Sequence, residues 1–451
     1  MKMSKKRLAI IGVVIVIIIA VGMYPVFSKK LLRSSDPNTL TIYALAYNGK
    51  LNYDIEPIVN EFKEKYPNIK LDIVKFSSDR DYQKYNEKIL SDTLSGGGPD
   101  IIYFDPEETN ARAFQKSGML EDLKSYIEKD KDFKKEDYNS KLLNAGMYKG
   151  KLTFIPTDYR VPAYITTKEL LQKNNIKITE NMSQNDFMKS VSGYISNAKS
   201  SNGKTLFAKS IDVGDFIASS GFQCVNYENK KMYFDTKEFK DIMENYKKIY
   251  NSTPKPATNE SGEEGLQGIK NGSTLFSIDQ GYTGGVEFFE SESTIKGIAG
   301  QTQVINSFPT YEGGNKTIAI AEDLIGMSKK TLNKRAAYNF IKLALSEKIQ
   351  CDDKTYTPPI NKKSQIDIKD KYLKEEVGKD AKEYKIILNR PSDDFNKYYD
   401  RVTNNVDEVR ILDTDVDKLI KECMTPYFDG KSSYDSALKT LENKVKLYIN
   451  E

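Results

Sequence analysis

Blocks of apolar residues alternate with mixed blocks from residue 39 onward, and the two kinds of block predict strands and helices in turn. Residues 39–45, TLTIYAL, are apolar and β-branched, which is typical of a buried strand. In the next block, apolar residues recur at spacings of three and four, as one face of an amphipathic helix requires: Ile55, Ile58, Val59, Phe62 and Tyr66. We expect Asp54 to cap this helix and Pro67 to end it.

The same alternation continues to residue 105. Residues 71–76, LDIVKF, predict a second strand, residues 79–94 a second helix, and residues 100–105, DIIYFD, a third strand. Strands that alternate with helices form a parallel sheet through right-handed crossovers, so the expected fold class is α/β. The glycines at 96–98 are interpreted as a helix stop, because the Gly-Lys-Ser/Thr sequence of a phosphate-binding loop does not follow them.

One long apolar run at the N-terminus lies outside this pattern. Residues 8–27 carry no charge, and basic residues stand on both sides of the run. Twenty such residues are enough to cross a bilayer, while Ala20 and Gly22 would also suit cleavage of a signal peptide. We expect a retained transmembrane anchor, with the rest of the chain at the extracellular face of the cell membrane. A cleaved signal and a secreted protein are the alternative.

The composition excludes several kinds of site. The 451 residues are 39% hydrophobic and 29% charged, which is typical of a soluble globular protein. A chain of this length is long for one compact core, so we expect two lobes. The net charge of +4 comes from the N-terminus: residues 1–36 carry +6, so residues 37–451 carry −2 and offer no basic surface to nucleic acid. Three cysteines without any histidine predict neither a disulfide framework nor a metal site, and no cofactor is expected.

A series of segments, each weak alone, occurs in an order that is specific. It begins with TLTIYAL, FKEKYPNIKLDIVKF, LSGGGPDIIYFD and SGMLEDL, and it continues through residues 147–176, 234–250, 269–282, 307–314, 328–350 and 357–363. In order and spacing this series resembles extracellular solute-binding protein family 1, the group that includes the maltose-binding proteins. The resemblance covers nearly all of the chain from residue 39 onward.

The resemblance implies a periplasmic-binding-protein-like fold: two α/β lobes joined by a hinge that the chain crosses several times, preceded by the N-terminal segment 1–36. On that pattern, lobe 1 would comprise residues 37–157 and 312–356, and lobe 2 residues 158–311 and 357–451. Loops beyond the carboxyl ends of the strands in both lobes would then face one cleft, where a ligand would bind.

For function, the resemblance implies the substrate-binding component of a bacterial ABC importer. Such a protein is a receptor and not an enzyme: it captures a small solute, here expected to be a carbohydrate, and delivers it to permease subunits in the membrane. We expect a monomer without a nucleic-acid partner. Two alternatives stay open. One is a membrane-anchored ligand sensor or envelope protein on the same fold; the other is a glycoside-acting enzyme with paired carboxylates, although the chain has no histidine to act as a general base.

A sugar receptor needs aromatic rings that stack on the sugar and polar side chains that bind its hydroxyls. The chain has no tryptophan, so tyrosine or phenylalanine must supply the rings. Tyr282 matches an aromatic position in a loop of the family and is the first candidate. Asp279, directly after the apolar run LFSI, would point its oxygens into the same cleft.

The other candidates follow predicted strands or mark the first crossing between the lobes. Tyr47 and Asn48 follow the first strand. Asp105 ends the third strand, and Glu107 lies just beyond it. The rest lie at the crossing or after the apolar run AIA: Asp158, Arg160, Glu322 and Asp323. Arg160 would either grip an acidic ligand group or brace the hinge by pairing with Asp158. No catalytic and no metal-binding residue is expected.

Overall fold

The computed structural model describes residues 36–450, apart from residues 53, 79, 201–202, 254–261, 280–285, 300–302, 315, 352–356 and 382–385. The expected N-terminal span, residues 8–27, lies outside the described residues. Among the helices of the described part, none combines the length and the apolar composition that crossing a bilayer requires.

Strands and helices alternate along most of the described chain. The strands are β1 Thr39–Tyr47, β2 Lys50–Leu51, β3 Lys70–Ser77, β4 Ile101–Phe104, β5 Gly146–Tyr148, β6 Lys151–Pro156, β7 Tyr159–Arg160, β8 Ala163–Thr167, β9 Thr205–Phe207, β10 Val225–Asn226, β11 Lys231–Met232, β12 Thr274–Asp279, β13 Gln303–Ser307, β14 Thr317–Ala321, β15 Leu324–Met327, β16 Asp380–Ala381, β17 Ile386–Ile387 and β18 Val406–Arg410.

The α-helices are numbered over the same residues. They are α1 Glu56–Lys65, α2 Tyr82–Leu94, α3 Ala111–Ser117, α4 Lys124–Lys129, α5 Ser140–Leu143, α6 Lys168–Lys173, α7 Gln184–Ser190, α8 Ser192–Ser200, α9 Val213–Ser219, α10 Lys237–Tyr250, α11 Gly262–Asn271, α12 Val286–Ala299, α13 Lys334–Ala344, α14 Glu347–Gln350, α15 Lys362–Lys371, α16 Asp393–Asn404, α17 Thr414–Phe428 and α18 Tyr434–Asn450. A 3₁₀ turn at Lys135–Asp137 and a π-helical turn at Tyr372–Glu376 complete the set.

The larger sheet has seven strands in the order β2-β1-β4-β15-β6-β5, with β3 paired to the other side of β1. Strand β1 lies parallel to both β3 and β4, which confirms the three strands predicted at 39–45, 71–76 and 100–105 and their parallel arrangement. Strand β15 enters from a distant part of the chain and lies antiparallel between β4 and β6.

Apolar side chains cover both faces of this sheet. On one face, Phe62 of α1 packs against Phe340 of α13, with 5.3 Å between the ring centroids. On the other, the ring of Phe104 stacks on that of Phe114 at 4.9 Å and meets the edge of Phe154 at 5.2 Å. Because helices cover both faces, β1 is buried along most of its length, as its continuous apolar run predicts.

The start of α1 differs from the prediction. The helix begins at Glu56, and Ile55 occupies the N-cap position without any side-chain cap bond, so the expected capping role of Asp54 is wrong. Pro57 in the first turn presets the helical backbone angle and has no N–H that needs a partner. The helix therefore starts without a capping carboxylate, and Asp54 is left for another role.

A second sheet has four strands in the order β13-β8-β12-β9. Strand β8 is antiparallel to β12 and β13, whereas β9 is parallel to β12. An aromatic cluster packs against it, with ring centroids 4.9–5.8 Å apart: Tyr164, Phe187, Phe207, Phe276 and Phe308. This cluster belongs to an apolar core of its own, separate from those of the larger sheet.

Three segments of chain connect the parts built around the two sheets, and they are hydrogen-bonded to one another. Thr157 N–H donates to the carbonyl of Asp323 at 2.8 Å, and Ile360 N–H donates to the carbonyl of Thr157 at 3.3 Å. Strands β7 and β14 join β18 in a small three-stranded sheet at this place. The predicted two-lobed α/β fold with a hinge of several crossings is confirmed. The residue boundaries of the two lobes stay a prediction.

Candidate functional site

Two adjoining cavities lie where strands of the larger sheet end at the hinge. The first has a volume of about 320 Å³ and opens at the carboxyl ends of β1 and β4, the edge at which α/β sheets bind ligands. The second, of about 520 Å³, lies between the segment after β4 and helices α9 and α17. Glu322 lines both cavities and marks their junction.

Arg160 forms a buried ion-pair cluster in the second cavity. Its guanidinium contacts Glu107 after β4, Asp215 on α9 and Glu322 after β14. Its side chain is only 6% exposed. Burial alone would lower the pKa of the guanidinium, but the three carboxylates outweigh burial and raise that pKa well above its ordinary value. The pairing with Asp158 that the sequence suggested is wrong, because Asp158 is engaged elsewhere.

Asp158 ties the three crossing segments together. One carboxylate oxygen accepts a hydrogen bond from the backbone N–H of Asp323 at 3.0 Å and one from the hydroxyl of Thr157 at 3.2 Å. The other oxygen accepts from the hydroxyl of Thr357. Burial raises the pKa of this carboxyl even though the hydrogen bonds act to lower it. One side chain thus fixes the relative position of all three hinge segments.

The charged residues that line the first cavity are all acidic: Asp54, Asp105, Asp158, Glu322 and Asp323. Burial, with repulsion from Asp158, raises the pKa of Asp54 to about 7. Burial raises the pKa of Asp105 to about 7, and it raises that of Glu322 to about 8 despite the nearby guanidinium. Near neutral pH these carboxyls are therefore partly protonated, so they can both donate and accept hydrogen bonds.

Three tyrosines and two amides also line the first cavity. The hydroxyl of Tyr103 donates to Asp323 at 2.9 Å, and the hydroxyl of Tyr85 donates to the carbonyl of Tyr103. Tyr82, at the start of α2, also lines the cavity, and its ring is partly exposed. Asn86, one turn further along α2, has its side-chain oxygen bonded to the hydroxyl of Thr109 at 2.7 Å.

Six of the predicted ligand residues meet in these two cavities: Asp105, Glu107, Asp158, Arg160, Glu322 and Asp323. They come from three separate parts of the chain, and they meet because β4, β7 and β14 all end at the hinge. Whether each one touches a ligand stays a prediction.

The other predicted ligand residues lie elsewhere or outside the description. Strand β1 runs two residues further than predicted and turns into β2, which carries Tyr47 and Asn48 into an exposed turn that lines neither cavity. Tyr47 is 57% exposed, and Asn48 has a φ of 47°. The backbone of Asp279 ends β12 opposite Ala163. Tyr282 lies outside the described residues.

Sequence reasoning missed Asp54, Tyr82, Asn86 and Asp215. A signal for Tyr82 was present, since it follows β3, a parallel strand whose carboxyl end faces the same edge as those of β1 and β4. Asp54 was interpreted as a helix cap, and Asp215, on a helix far along the chain, carried no local signal.

Comparisons with known proteins agree with the α/β fold described above. A family model described as "Bacterial extracellular solute-binding protein" matches residues 57–376. No curated protein matches the chain. The solved structure of the sugar-binding protein MalE from Xanthomonas citri is similar with a TM-score of 0.65 at 14% identity, over 91% of this chain and 97% of that one.

Two further solved structures are similar over most of their length. An ABC substrate-binding protein from Listeria monocytogenes, in complex with cycloalternan, has a TM-score of 0.59 at 18% identity, over 91% of this chain and 99% of that one. The GacH receptor of Streptomyces glaucescens, solved without ligand and with acarbose, has a TM-score of 0.58 at 15% identity, over 92% and 98%. At these identities the likeness establishes the fold.

Proposed function

This chain belongs to the family of bacterial extracellular solute-binding proteins, and from that membership we propose that it is the solute-binding component of an ABC importer for a small carbohydrate. The family match covers residues 57–376, which supply most of the lining of both cavities. Proteins of this family bind their solutes and release them unchanged, so we assign the chain the role of a receptor and no catalytic step.

The observation that carries the proposal is the first cavity at the hinge. Its lining combines carboxyl groups, two amides and three tyrosines, which suits a molecule with many hydroxyls and an apolar ring face. A volume of about 320 Å³ lies at the lower end of the range of roughly 300–1,000 Å³ that is usual for small-molecule sites. The proposed ligand is therefore small, of one or two sugar rings.

Bending at the hinge would couple capture to delivery. Besides the contacts of Arg160, the start of α3 meets the C-terminal helices: the side-chain amide of Asn110 donates to the hydroxyl of Tyr448 at 2.9 Å, and it also contacts Asp415. Such polar contacts can form and break as the two parts close and open. In our proposal the closed, loaded form is the one that the permease recognises.

A thermal-shift panel tests the proposal. We expect at least one neutral or charged mono- or disaccharide to stabilise the protein by about 2.7 kcal/mol at a concentration of 100 Kd. Asp105→Ala should abolish this ligand-induced shift, whereas Glu128→Gln, which changes an exposed carboxylate on α4, should leave it intact. Release of reducing sugar from glycosides by the wild-type chain would instead favour the enzymatic alternative. No shift with any saccharide would contradict a carbohydrate ligand.

We further propose that residues 8–27 anchor the protein at the outer face of the cell membrane. The support is the uncharged run itself and the extracellular location that is typical of the family. The full-length protein should then stay with the membrane fraction after washing in high salt, because ions do not screen apolar burial, and deletion of residues 8–27 should release it. A mature chain that begins near Met23 and is found in the medium would refute the anchor.

A further inference from the structure

The charge balance of the first cavity narrows the class of ligand. Its lining contains five carboxyl groups, and none of the described residues that line it is basic. The guanidinium of Arg160 lines the second cavity and is already shared by Glu107, Asp215 and Glu322. The described lining of the first cavity therefore holds no basic side chain that would balance the ionised fraction of these carboxyls.

Asn86 provides an independent observation about the groups that the first cavity can bind. Its side chain is 9% exposed, so it is almost fully buried, and it lines the first cavity. Its side-chain oxygen accepts a hydrogen bond from the hydroxyl of Thr109, but its NH₂ group has no hydrogen-bond partner within the described part of the chain. Because Asn86 lines the cavity, this NH₂ group is available to a ligand acceptor such as a hydroxyl.

These two observations define a ligand with two chemical parts. The unpaired amide suits a hydroxyl, whereas the carboxylates suit a positive charge, and the tyrosine rings of the lining can also attract a cation over their faces. An anionic sugar would be repelled by the carboxylates. A neutral sugar would leave the charge of the ionised carboxyls unbalanced.

We infer that the first cavity binds an ammonium group, and that the ligand is an amino sugar with a free primary amine. This inference rests on the proposed function, since it specifies the carbohydrate that the same site takes. The ammonium would lie between Asp54 and Asp105, on the lobe-1 side of the cavity, and a neighbouring hydroxyl would accept the hydrogen bond from Asn86.

Isothermal titration at pH 7.5 with three matched probes tests the inference: glucosamine, glucose and N-acetylglucosamine. These sugars share one ring and differ at one substituent, which is cationic only in glucosamine. We expect glucosamine to bind about tenfold or more tightly than either of the others, the effect of one charge-assisted hydrogen bond. Its affinity should fall with added salt, because the attraction between charges is screened.

Variants of the carboxylates separate recognition of charge from folding. Asp54→Asn keeps the size of the side chain and should reduce the preference for glucosamine over glucose to about twofold or less. Asp105→Asn is the second variant and should act in the same direction. Glu128→Gln is the control and should keep the wild-type preference. Melting curves without sugar show whether each variant is folded.

The outcomes that overturn the inference are distinct from those that overturn the proposed function. If glucose and N-acetylglucosamine bind as tightly as glucosamine, the amino-sugar assignment fails while the carbohydrate receptor stands. If putrescine or calcium chloride stabilises the protein and none of the three sugars does, both proposals fail. A preference for glucosamine that survives in both Asp54→Asn and Asp105→Asn would also overturn the inference.

Discussion

Replacing Arg160 with methionine should lower the free energy of unfolding by about 3 to 5 kcal/mol. The guanidinium is 6% exposed and contacts three carboxylates, so its removal leaves buried negative charge without a partner. Equilibrium unfolding in urea, followed by circular dichroism, measures the loss. Glu107 and Asp215 lie in the parts built around different sheets, so the variant should also have a larger radius of gyration in solution scattering.

Two further variants make this result interpretable. Lys421→Met removes an exposed cation that lies 3.5 Å from Asp212 at the same cavity, and it should cost no more than about 1 kcal/mol. Adding Asp215→Asn and Glu322→Gln to Arg160→Met should restore much of the lost stability, because the unpaired charges are removed as well. A loss below about 1 kcal/mol for Arg160→Met alone would contradict the role that we give to this cluster.

The free energy of unfolding of the ligand-free protein should decrease as the pH rises from 5 to 8. Asp54 has an ordinary pKa of 3.8, the value it regains when unfolded, and a folded-state pKa of about 7. Below pH 3.8 the folded and the unfolded protein both keep the proton on Asp54, so this group does not change the free energy of unfolding. Between the two values only the unfolded chain loses the proton, and each pH unit favours unfolding by about 1.36 kcal/mol. Above pH 7 the total decrease in the free energy of unfolding caused by Asp54 is at most about 4 kcal/mol.

The neighbours of Asp54 act in the same direction. The pKa of Asp105 is raised to about 7 by burial, and the pKa values of Asp158 and Asp323 are also raised. Urea unfolding at pH 5, 6, 7 and 8 measures the dependence. Asp54→Asn should make it shallower and should stabilise the protein at pH 8 more than at pH 5. Asp241→Asn offers a control: the pKa of Asp241 is lowered despite burial by hydrogen bonds from Lys237 and Tyr311, so this group is ionised in both states from pH 5 to 8 and its replacement should leave the slope unchanged. Constant or rising stability in wild type would refute the prediction.

Much of the first sheet was predictable because its signals are local. Burial on both faces makes a strand apolar at every position, and burial on one face makes a helix apolar at every third and fourth position. Residues 39–45 and 100–105 carry the first signal, and they form β1 and β4. Asp105 could be placed near the site for the same reason, since it directly follows one of these strands.

What the sequence by itself determined is therefore the order of the elements, the parallel sheet and the residues at the ends of its strands. The tertiary structure decided which polar groups meet. Glu322 reaches Arg160 from 162 positions along the chain, and Asp215 reaches it from 55. Asp54 precedes a helix, where a carboxylate commonly caps, and only its burial beside Asp158 shows that it belongs to the cavity. The physical reason is that periodicity reports the side of an element that is buried, whereas the partners of a buried charge depend on how distant elements pack.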